Sequence, residues 1–333
     1  MDVRIRGNSL IVNPDKSLQG KPASEVLDSS LLLPPAYRKQ LFREGRVKQG
    51  REVLDPDALI KAGHRIALEG GIENDSDWEL SEVEGFTNVN KELDVPDLDV
   101  LYEDDHLLIV NKPAPLLVYP GSDSDSDTLD ARVLHYFQQN GLHRRVYHVH
   151  RLDRDTSGAI LYAKHAYSAR ALDSLLAQRQ IHRRYLALVR GALHPVKGVI
   201  DNPIGRDRHV SGRYRVSKTG KEALTEYITL GTCRVVNEPV TLVECQLQTG
   251  RTHQIRVHMS SRGCPVVGDR LYGGGNGVGE IRFEQGHALH AWRLSFKHPY
   301  TEQEISVSAN LPAAFQEALI DLDLDRALHK AKE

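Results

Sequence analysis

The residues best suited to chemistry are concentrated in one short stretch, HRLDRDTSG at 150–158. Apolar residues begin again directly after Gly158, which is typical of a turn between two strands. Because a buried charge needs a partner, such a cluster either faces solvent or lines a cleft. Asp153 and Asp155 would share one side of an extended chain. Carboxylates this close in sequence do not easily flank a sugar from opposite faces, so a glycoside hydrolase is the weaker interpretation.

A second segment, TGRTHQIRVHM at 249–259, supplies cations. Thr252 is a suitable N-cap, so we predict a helix that begins there, with His253 and Arg256 on one face. An arginine on such a helix can hold a carboxylate in a charge-assisted pair and keep it ionised, as a catalytic aspartate requires. Arg251 is the alternative partner, and we favour Arg256 because it lies inside the helix. A surface helix with solvated bases is the competing interpretation.

The third segment is IHRRYLALVR at 181–190, whose alternation predicts a half-buried strand. Its Tyr185 either stacks against a nucleobase or fills the core with its hydroxyl at the edge. His148 and His150 are spaced to reach one metal ion from a strand. No third ligand follows at a recognisable spacing, so we predict no metal site.

The surrounding pattern predicts two domains joined by a connector. We expect a small α/β unit of short helices followed by short strands at 1–72, an acidic linker at 73–96 and a larger domain at 97–325. In the larger domain, strands mostly follow one another directly, which favours an α+β fold with a mixed, largely antiparallel sheet. The predicted strands lie near 100–102, 107–110, 158–163, 185–189, 224–229, 240–247, 289–296 and 305–307, and the predicted helices near 129–137, 169–176, 252–260 and 312–320.

Charge is unevenly distributed, although the formal net charge is only −2. Thirteen acids at 73–105 cancel bases elsewhere, six of which lie at 38–51, and a second basic excess lies at 206–221. A local basic patch attracts phosphates whatever the total charge, so nucleic acid stays a candidate partner. Solvated faces on a charged protein are the competing interpretation.

Composition favours a cytoplasmic protein. No apolar run approaches the roughly 20 residues of a membrane helix, and the amino terminus has no secretory pattern. The three cysteines lack the pair spacing of zinc or redox sites and are expected to be reduced thiols. They are Cys233, Cys245 and Cys264.

Together these motifs resemble those of the RluA-type RNA pseudouridine synthases. The stretch at 150–158 is similar to the family signature, and the other motifs follow in the family's order across about 97–310. They are Lys112-Pro113, Arg184-Tyr185, TGRTHQIRVHM, Gly268-Asp269 and Leu289-His290-Ala291. The amino-terminal unit resembles the ribosomal-protein-type alpha-L RNA-binding domain. Pro115 replaces a usual glycine and Tyr119 a common histidine, both outside the catalytic motif.

The resemblance implies conversion of uridine to pseudouridine in RNA without a cofactor. It implies Asp153 as nucleophile or base toward the ribose or the base, Arg256 as its partner, and Tyr185 against the uracil or assisting proton transfer. Large-subunit ribosomal RNA is the expected substrate and transfer RNA the alternative, with a monomer as the expected state. The expected substrate-binding residues are His150, Arg151, Arg154, Thr156, Arg251 and His253.

The competing function is a non-catalytic RNA-binding protein or ribosome assembly factor. Such a protein would keep the basic patches. It would have no reason to keep Asp153, Tyr185 and Arg256 together, so we favour the enzyme.

Overall fold

The computed structural model describes residues 2–61, 63–72, 96–122 and 125–332, with side chains to 328. The predicted acidic linker at 73–96 lies outside these ranges apart from Pro96. Among the helices in the described ranges, none is long and apolar enough to cross a membrane.

The amino-terminal unit is a five-stranded antiparallel sheet, in the order β1-β2-β5-β3-β4, that shares a core with two helices. We predicted helices followed by strands, which is wrong at the start, because two strands come before the first helix. In β1 only Val3 and Ile5 are apolar and charged residues surround them, so the strand signal is weak. The elements are β1 (Asp2–Arg6), β2 (Ser9–Asn13), α1 (Ala23–Leu31), α2 (Pro35–Arg43), β3 (Val47–Gln49), β4 (Glu52–Val53) and β5 (Ile66–Glu69).

The larger unit is built on a ten-stranded sheet with helices against it. Its elements are β6 (Val100–Glu103), β7 (Leu107–Lys112), α3 (Leu129–Gln139), β8 (Tyr147–His148), β9 (Ser157–Ala163), α4 (Ala166–Ala177), β10 (His182–Arg190), β11 (Lys197–Asp201), β12 (Ile204–Arg206), β13 (Tyr214–Val216), β14 (Leu224–Val235), β15 (Glu238–Leu247), α5 (Gln254–Ser261), β16 (Gly277–Val278), β17 (Ile281–Arg282), β18 (Leu289–Lys297), β19 (Glu304–Ser308), α6 (Ala313–Asp321) and α7 (Asp325–Lys332).

The large sheet runs β11-β14-β15-β10-β18-β9-β7-β6, with β19 beside β18 and β8 beside β9. Among the described strands, its pairs are antiparallel except for β9 with β18, which are parallel at His290–Ser157 and Ala291–Gly158. The predicted α+β class and largely antiparallel sheet are therefore confirmed. All seven residues of β9 are buried, as the apolar run after the polar turn predicts.

The two units pack directly on each other through α4. Tyr167 is fully buried and belongs to the hydrophobic core of the amino-terminal unit. Arg46 donates to the Tyr167 hydroxyl at 3.0 Å and to the Glu69 carbonyl at 2.6 Å. The backbone N–H of Ala166 donates to the Gly71 carbonyl at 3.0 Å. Arg46, one of the bases of the predicted patch, is thus used for domain packing.

Gly158 links the polar turn to the centre of the sheet. Its φ of +115° lies in a region that residues with side chains rarely adopt. A Cβ atom at this position would lie 2.3 Å from the Ala291 carbonyl oxygen and 2.6 Å from the Ala291 nitrogen. The parallel pairing of β9 with β18 therefore requires glycine at position 158. This pairing fixes the position at which the polar turn ends and β9 begins.

We predict that Gly158→Ala lowers the free energy of unfolding by on the order of 3 kcal/mol, because backbone strain and overpacking combine. Thermal or urea unfolding measures the loss. The control is Gly141→Ala, where φ is +69° but nothing lies within 4 Å of the added methyl group. Strain alone at Gly141 costs about 1 kcal/mol. Equal losses in the two variants would contradict the proposed tight pairing.

Candidate active site

Asp153 lies where two adjoining clefts meet. The first cleft has a volume of about 760 Å³ and the second about 720 Å³. Asp153 is the only acid that lines both clefts among the described residues. The residues common to both are Tyr119, Arg151, Leu152, Asp153, His253 and Arg256.

Arg256 joins two carboxylates in a buried network. Its Nη1 donates to Asp153 Oδ2 at 2.9 Å. Its Nε and Nη2 donate to the two oxygens of Asp269 at 2.6 and 3.0 Å, which is a bidentate pair. The side chain of Asp153 is 17% exposed, against 8% for Arg256 and 1% for Asp269. Asp269 thus holds the guanidinium on its buried side, while Asp153 faces the clefts.

The pKa of the Asp153 carboxyl lies below its ordinary value. Burial would raise it, but the positive fields of His253 and Arg256 and the hydrogen bond from Arg256 outweigh burial. Asp153 is therefore ionised at neutral pH. Burial and the two carboxylates act in opposite directions on Arg256, with a net rise in its pKa that keeps it charged.

His253 completes the surroundings of Asp153, but helix α5 does not begin as predicted. The helix starts at Gln254, and His253 precedes it with a left-handed φ of +57°. Thr252 is not the N-cap, so that prediction was wrong. The side chain of Gln254 instead accepts from the Arg251 N–H at 3.0 Å, closing the turn before the helix. This conformation puts His253 Nε2 3.9 Å from Asp153 and its Nδ1 2.9 Å from the Tyr272 hydroxyl.

Tyr185 on β10 is both a core residue and part of the wall of the first cleft. It is 4% exposed and belongs to the main core cluster, yet it lines the first cleft together with Asp153. Burial raises the pKa of its hydroxyl, which stays protonated at neutral pH. The cleft therefore has a rigid aromatic wall.

Lys112 holds the turn that carries Asp153. It is fully buried, and its Nζ donates to the carbonyl oxygens of Pro113 at 3.0 Å, Leu116 at 2.6 Å and Arg154 at 3.0 Å. The Arg154 carbonyl also accepts from the Leu116 N–H at 2.9 Å. One ammonium group thus ties the loop after β7 to the backbone just after Asp153.

Two of the predicted substrate-binding residues make structural contacts within the protein. His150 Nε2 accepts from the Leu161 N–H at 3.3 Å, and burial lowers the pKa of the ring to about 3, so it is neutral. Thr156 Oγ1 lies 2.9 Å from His287 Nε2, and the Thr156 side chain is buried. Both line the first cleft, so these bonds shape its wall.

The predicted arginines occupy three different settings. Arg151 lies at the junction of the clefts, bonded to the Tyr119 hydroxyl and with its guanidinium 5.0 Å from the centre of that ring. Arg251 lines the first cleft and donates to the Glu222 carbonyl at 2.7 Å, so it is Arg256 that pairs with Asp153. Arg154 lines only the second cleft and is mostly exposed.

The chain is similar to known RNA pseudouridine synthases. A profile of the RNA pseudouridylate synthase family matches residues 106–261. The chain is 36% identical to the uncharacterized RNA pseudouridine synthase YhcT of Bacillus subtilis, over 94% of this chain and 96% of that protein. It is 41% identical to ribosomal large subunit pseudouridine synthase D of Xanthomonas campestris pv. campestris, over 92% of this chain and 96% of that protein. The chain belongs to the RluA-type family of RNA pseudouridine synthases.

The synthase also shares its fold with a solved member of this group. Human RNA pseudouridylate synthase domain containing 1 superposes with a TM-score of 0.52 at 26% identity, over 68% of this chain and 94% of that one. The expected enzyme class is therefore confirmed: the protein is an isomerase that acts on RNA.

Sequence reasoning missed residues that bear on the site. Asp269 and Lys112 were noted only as parts of supporting motifs, although both are fully or almost fully buried ionic groups. Gly268 before Asp269 and the strand before Lys112 were the available signals. Neither signal shows with which residues the Asp269 carboxylate or the Lys112 amino group interacts. Arg183 was not singled out at all, and it also lines the first cleft.

We predict that Arg256→Gln moves the acid limb of the kcat/KM profile upward. In the wild-type synthase the pKa of Asp153 lies below that of a free aspartate, so the carboxylate stays ionised to lower pH than a solvated one would. Removing Arg256 takes away both its positive field and its hydrogen bond, so the pKa of Asp153 rises and activity begins to fall at a higher pH than in the wild type. Rate measurements between pH 4 and 8 test this.

The matched control is Arg251→Gln, which removes a charge from the same cleft without removing a bond to Asp153. Whatever its effect on the rate, it leaves the acid limb where it is. Similar shifts in both variants would show that the general field of the cleft, rather than the Arg256 pair, sets the ionisation of Asp153.

Proposed function

We propose that Asp153 is the catalytic carboxylate of this RNA pseudouridine synthase, acting as nucleophile or base on the target uridine. The observation that carries the proposal is the ion pair with Arg256 at the junction of the clefts. An ionised carboxylate that is 17% exposed can reach a nucleoside and still be oriented by its partner. Asp155 has no comparable setting, because it pairs with the exposed Arg154 at 3.2 Å.

The reaction needs few groups. The bond from uracil N1 to the ribose breaks, the base turns, ribose joins carbon 5, and the hydrogen of carbon 5 leaves as a proton while N1 gains one. Atoms and electrons balance without a co-reactant, so we propose a cofactor-free mechanism. Asp153 supports it either by attacking the nucleoside or by taking the proton.

Tyr185 and Arg151 suit a base that has left its stack. The uridine must be extruded from the RNA to reach a buried carboxylate. We propose that its uracil lies against Tyr185, since an aromatic wall offers a stacking surface at little entropic cost. The guanidinium of Arg151, stacked on Tyr119 at the mouth of both clefts, is placed to contact the vacated strand or its phosphates.

We predict that Asp153→Asn abolishes tritium release from RNA labelled at uridine carbon 5, by a factor of about 1,000 or more. Asn keeps the volume but has no charge to attack or to take a proton. Asp155→Asn is the control and retains most of the activity, because among the described residues this carboxylate forms an ion pair with the exposed Arg154 and with no other cation. Near-normal release by Asp153→Asn would reject the assignment, and release of free uracil would instead indicate hydrolysis.

We further propose large-subunit ribosomal RNA as the substrate. Relatives named ribosomal large subunit pseudouridine synthase D support this proposal, from Xanthomonas campestris at 41% identity and Vibrio parahaemolyticus at 34%. The hairpin of β12 and β13 carries exposed bases near the site, since Tyr214 on it contacts the ring of His253 at 5.6 Å. The exposed bases of this segment are Arg206, Arg208, Arg215, Lys218 and Lys221.

The amino-terminal unit is proposed as an accessory RNA-binding domain. Of its six bases at 38–51, three are engaged within the protein: Arg38 pairs with Asp28, Arg46 packs on Tyr167 and Lys48 pairs with Glu69. Exposed bases left for phosphate are Lys39, Arg43 and Arg51. This surface is smaller than the sequence count suggested.

We predict that a strain lacking the gene loses pseudouridine at one or more positions of its large-subunit ribosomal RNA. Mapping by chemical modification and reverse transcription measures this. The wild-type gene restores the positions and the Asp153→Asn gene does not. Loss confined to transfer RNA would reject the ribosomal target while leaving the enzyme class intact.

A further inference from the structure

Arg183 is a buried cation in the wall of the first cleft. It lies on β10 between Leu247 of β15 and Leu294 of β18, near the centre of the sheet. It is 8% exposed, so more than nine-tenths of it is removed from solvent. It lies two residues before Tyr185, and alternation along a strand puts both side chains on one face. Both residues line the cleft that contains Asp153.

This guanidinium has no partner within the described part of the chain. None of the described carboxylates forms an ion pair with it, and its buried Nε has no hydrogen-bond acceptor among the described residues. His150 nearby supplies no negative charge, and its ring is neutral because burial lowers its pKa to about 3, with repulsion from Arg183 adding to this effect. An added Cβ at Gly250 would lie only 3.1 Å from Arg183 Nη1. The absence of a side chain at Gly250 therefore makes space for the end of the Arg183 side chain.

The other arginines of this cleft differ in this respect. Arg256 pairs with Asp153 and Asp269, and Arg179 pairs with Glu222 at 3.1 Å. Arg251 donates to a backbone carbonyl, and Arg151 donates to the Tyr119 hydroxyl. An unpaired buried charge is costly in the free protein. Such a charge is explained if a ligand supplies the missing anion.

We propose that Arg183 binds an anionic phosphodiester oxygen next to the target uridine when the uracil lies against Tyr185. The inference rests on the proposed function, which puts the uridine in this cleft. A phosphate offers the full negative charge that a buried guanidinium lacks, and its oxygens match the fork of N–H donors. The uracil carbonyls are neutral and compensate a charge less well. The strand rise separates Arg183 from Tyr185 by about 7 Å, so one nucleotide can touch both.

The first test compares activity with stability in Arg183→Gln. Unmodified RNA from the strain lacking the gene contains the target whatever its identity and serves as substrate. We expect kcat/KM to fall roughly 10- to 100-fold, as for loss of a charged hydrogen bond. The melting temperature is expected to stay equal or rise, because an unpaired buried charge has been removed. Arg183→Lys keeps the charge without the fork and is expected to fall in between.

The control is Arg184→Gln, which removes the same charge from the neighbouring position on β10. Arg184 does not line either cleft and pairs with Glu244 at 3.4 Å. It is expected to leave kcat/KM unchanged. If Arg183→Gln melts at a lower temperature and keeps its kcat/KM, Arg183 is a structural residue and the proposal is wrong.

A second measurement separates a phosphate from a uracil contact. A synthetic RNA stem-loop around the mapped uridine is prepared with one neutral methylphosphonate at each flanking linkage in turn. When the methylphosphonate replaces the contacted phosphate, we expect kcat/KM of the wild-type synthase to fall to about the value that Arg183→Gln has on unmodified RNA. The kcat/KM of Arg183→Gln is expected not to change with this replacement. Equal sensitivity of both proteins at every flanking linkage would overturn the phosphate contact. Since Asp153 is intact in these proteins, this result is independent of the Asp153→Asn assay.

Discussion

The site depends on one guanidinium shared by two buried carboxylates. Arg256 on α5 is held by Asp269, which follows the helix, and it holds Asp153, which precedes β9. Burying three charged groups is favourable only when each is closely matched, and removing one partner leaves an uncompensated charge. The rest of the fold must therefore bring Asp153 to within hydrogen-bond distance of Arg256, 103 residues later, while Asp269 returns to Arg256 across 13 residues. The large sheet does this by joining β9 to β18 and β10 at its centre.

The turn that carries Asp153 is fixed from both ends. After Asp153, the chain enters β9 through Gly158, whose backbone lies directly against Ala291 of β18. On the other side, the buried ammonium of Lys112 binds three carbonyls, including that of Arg154 next to Asp153. These contacts are structural, yet they position the Asp153 carboxylate, because a displacement of a fraction of an ångström would break its hydrogen bond with Arg256.

The fold class and the position of the carboxylate could be predicted from the sequence, because both follow from local residue patterns. The apolar runs at β7, β9, β10 and β18 predicted a largely antiparallel α+β sheet, and the polar turn between them predicted the carboxylate. Thr252 was a reasonable cap by residue type, but His253 takes a left-handed conformation and Gln254 closes the turn instead. That choice depends on tertiary contacts with Tyr272 and Asp153, which no local pattern contains.

The environment of each charged residue was the least predictable property of the protein. A basic residue has the same letter in the sequence whether it is solvated, paired or buried. The six bases at 38–51 therefore suggested a larger basic surface than the three exposed ones provide, which are Lys39, Arg43 and Arg51. The same ambiguity hid Arg183, which sequence alone gave no reason to separate from Arg184. Burial distinguishes them: Arg184 pairs with Glu244 and is 41% exposed, whereas Arg183 is 8% exposed and has no ion-pair partner among the described residues.

The two central arginines therefore represent opposite uses of a buried charge. Arg256 is fully paired in the free protein, so its contribution is preorganisation of Asp153 before RNA arrives. Arg183 has no partner in the part of the chain that the structure describes, so the free protein is less stable until a ligand supplies the anion. A nucleotide that supplies this anion gains more from binding than a surface contact would give, and that gain is available to offset the unstacking of the uridine.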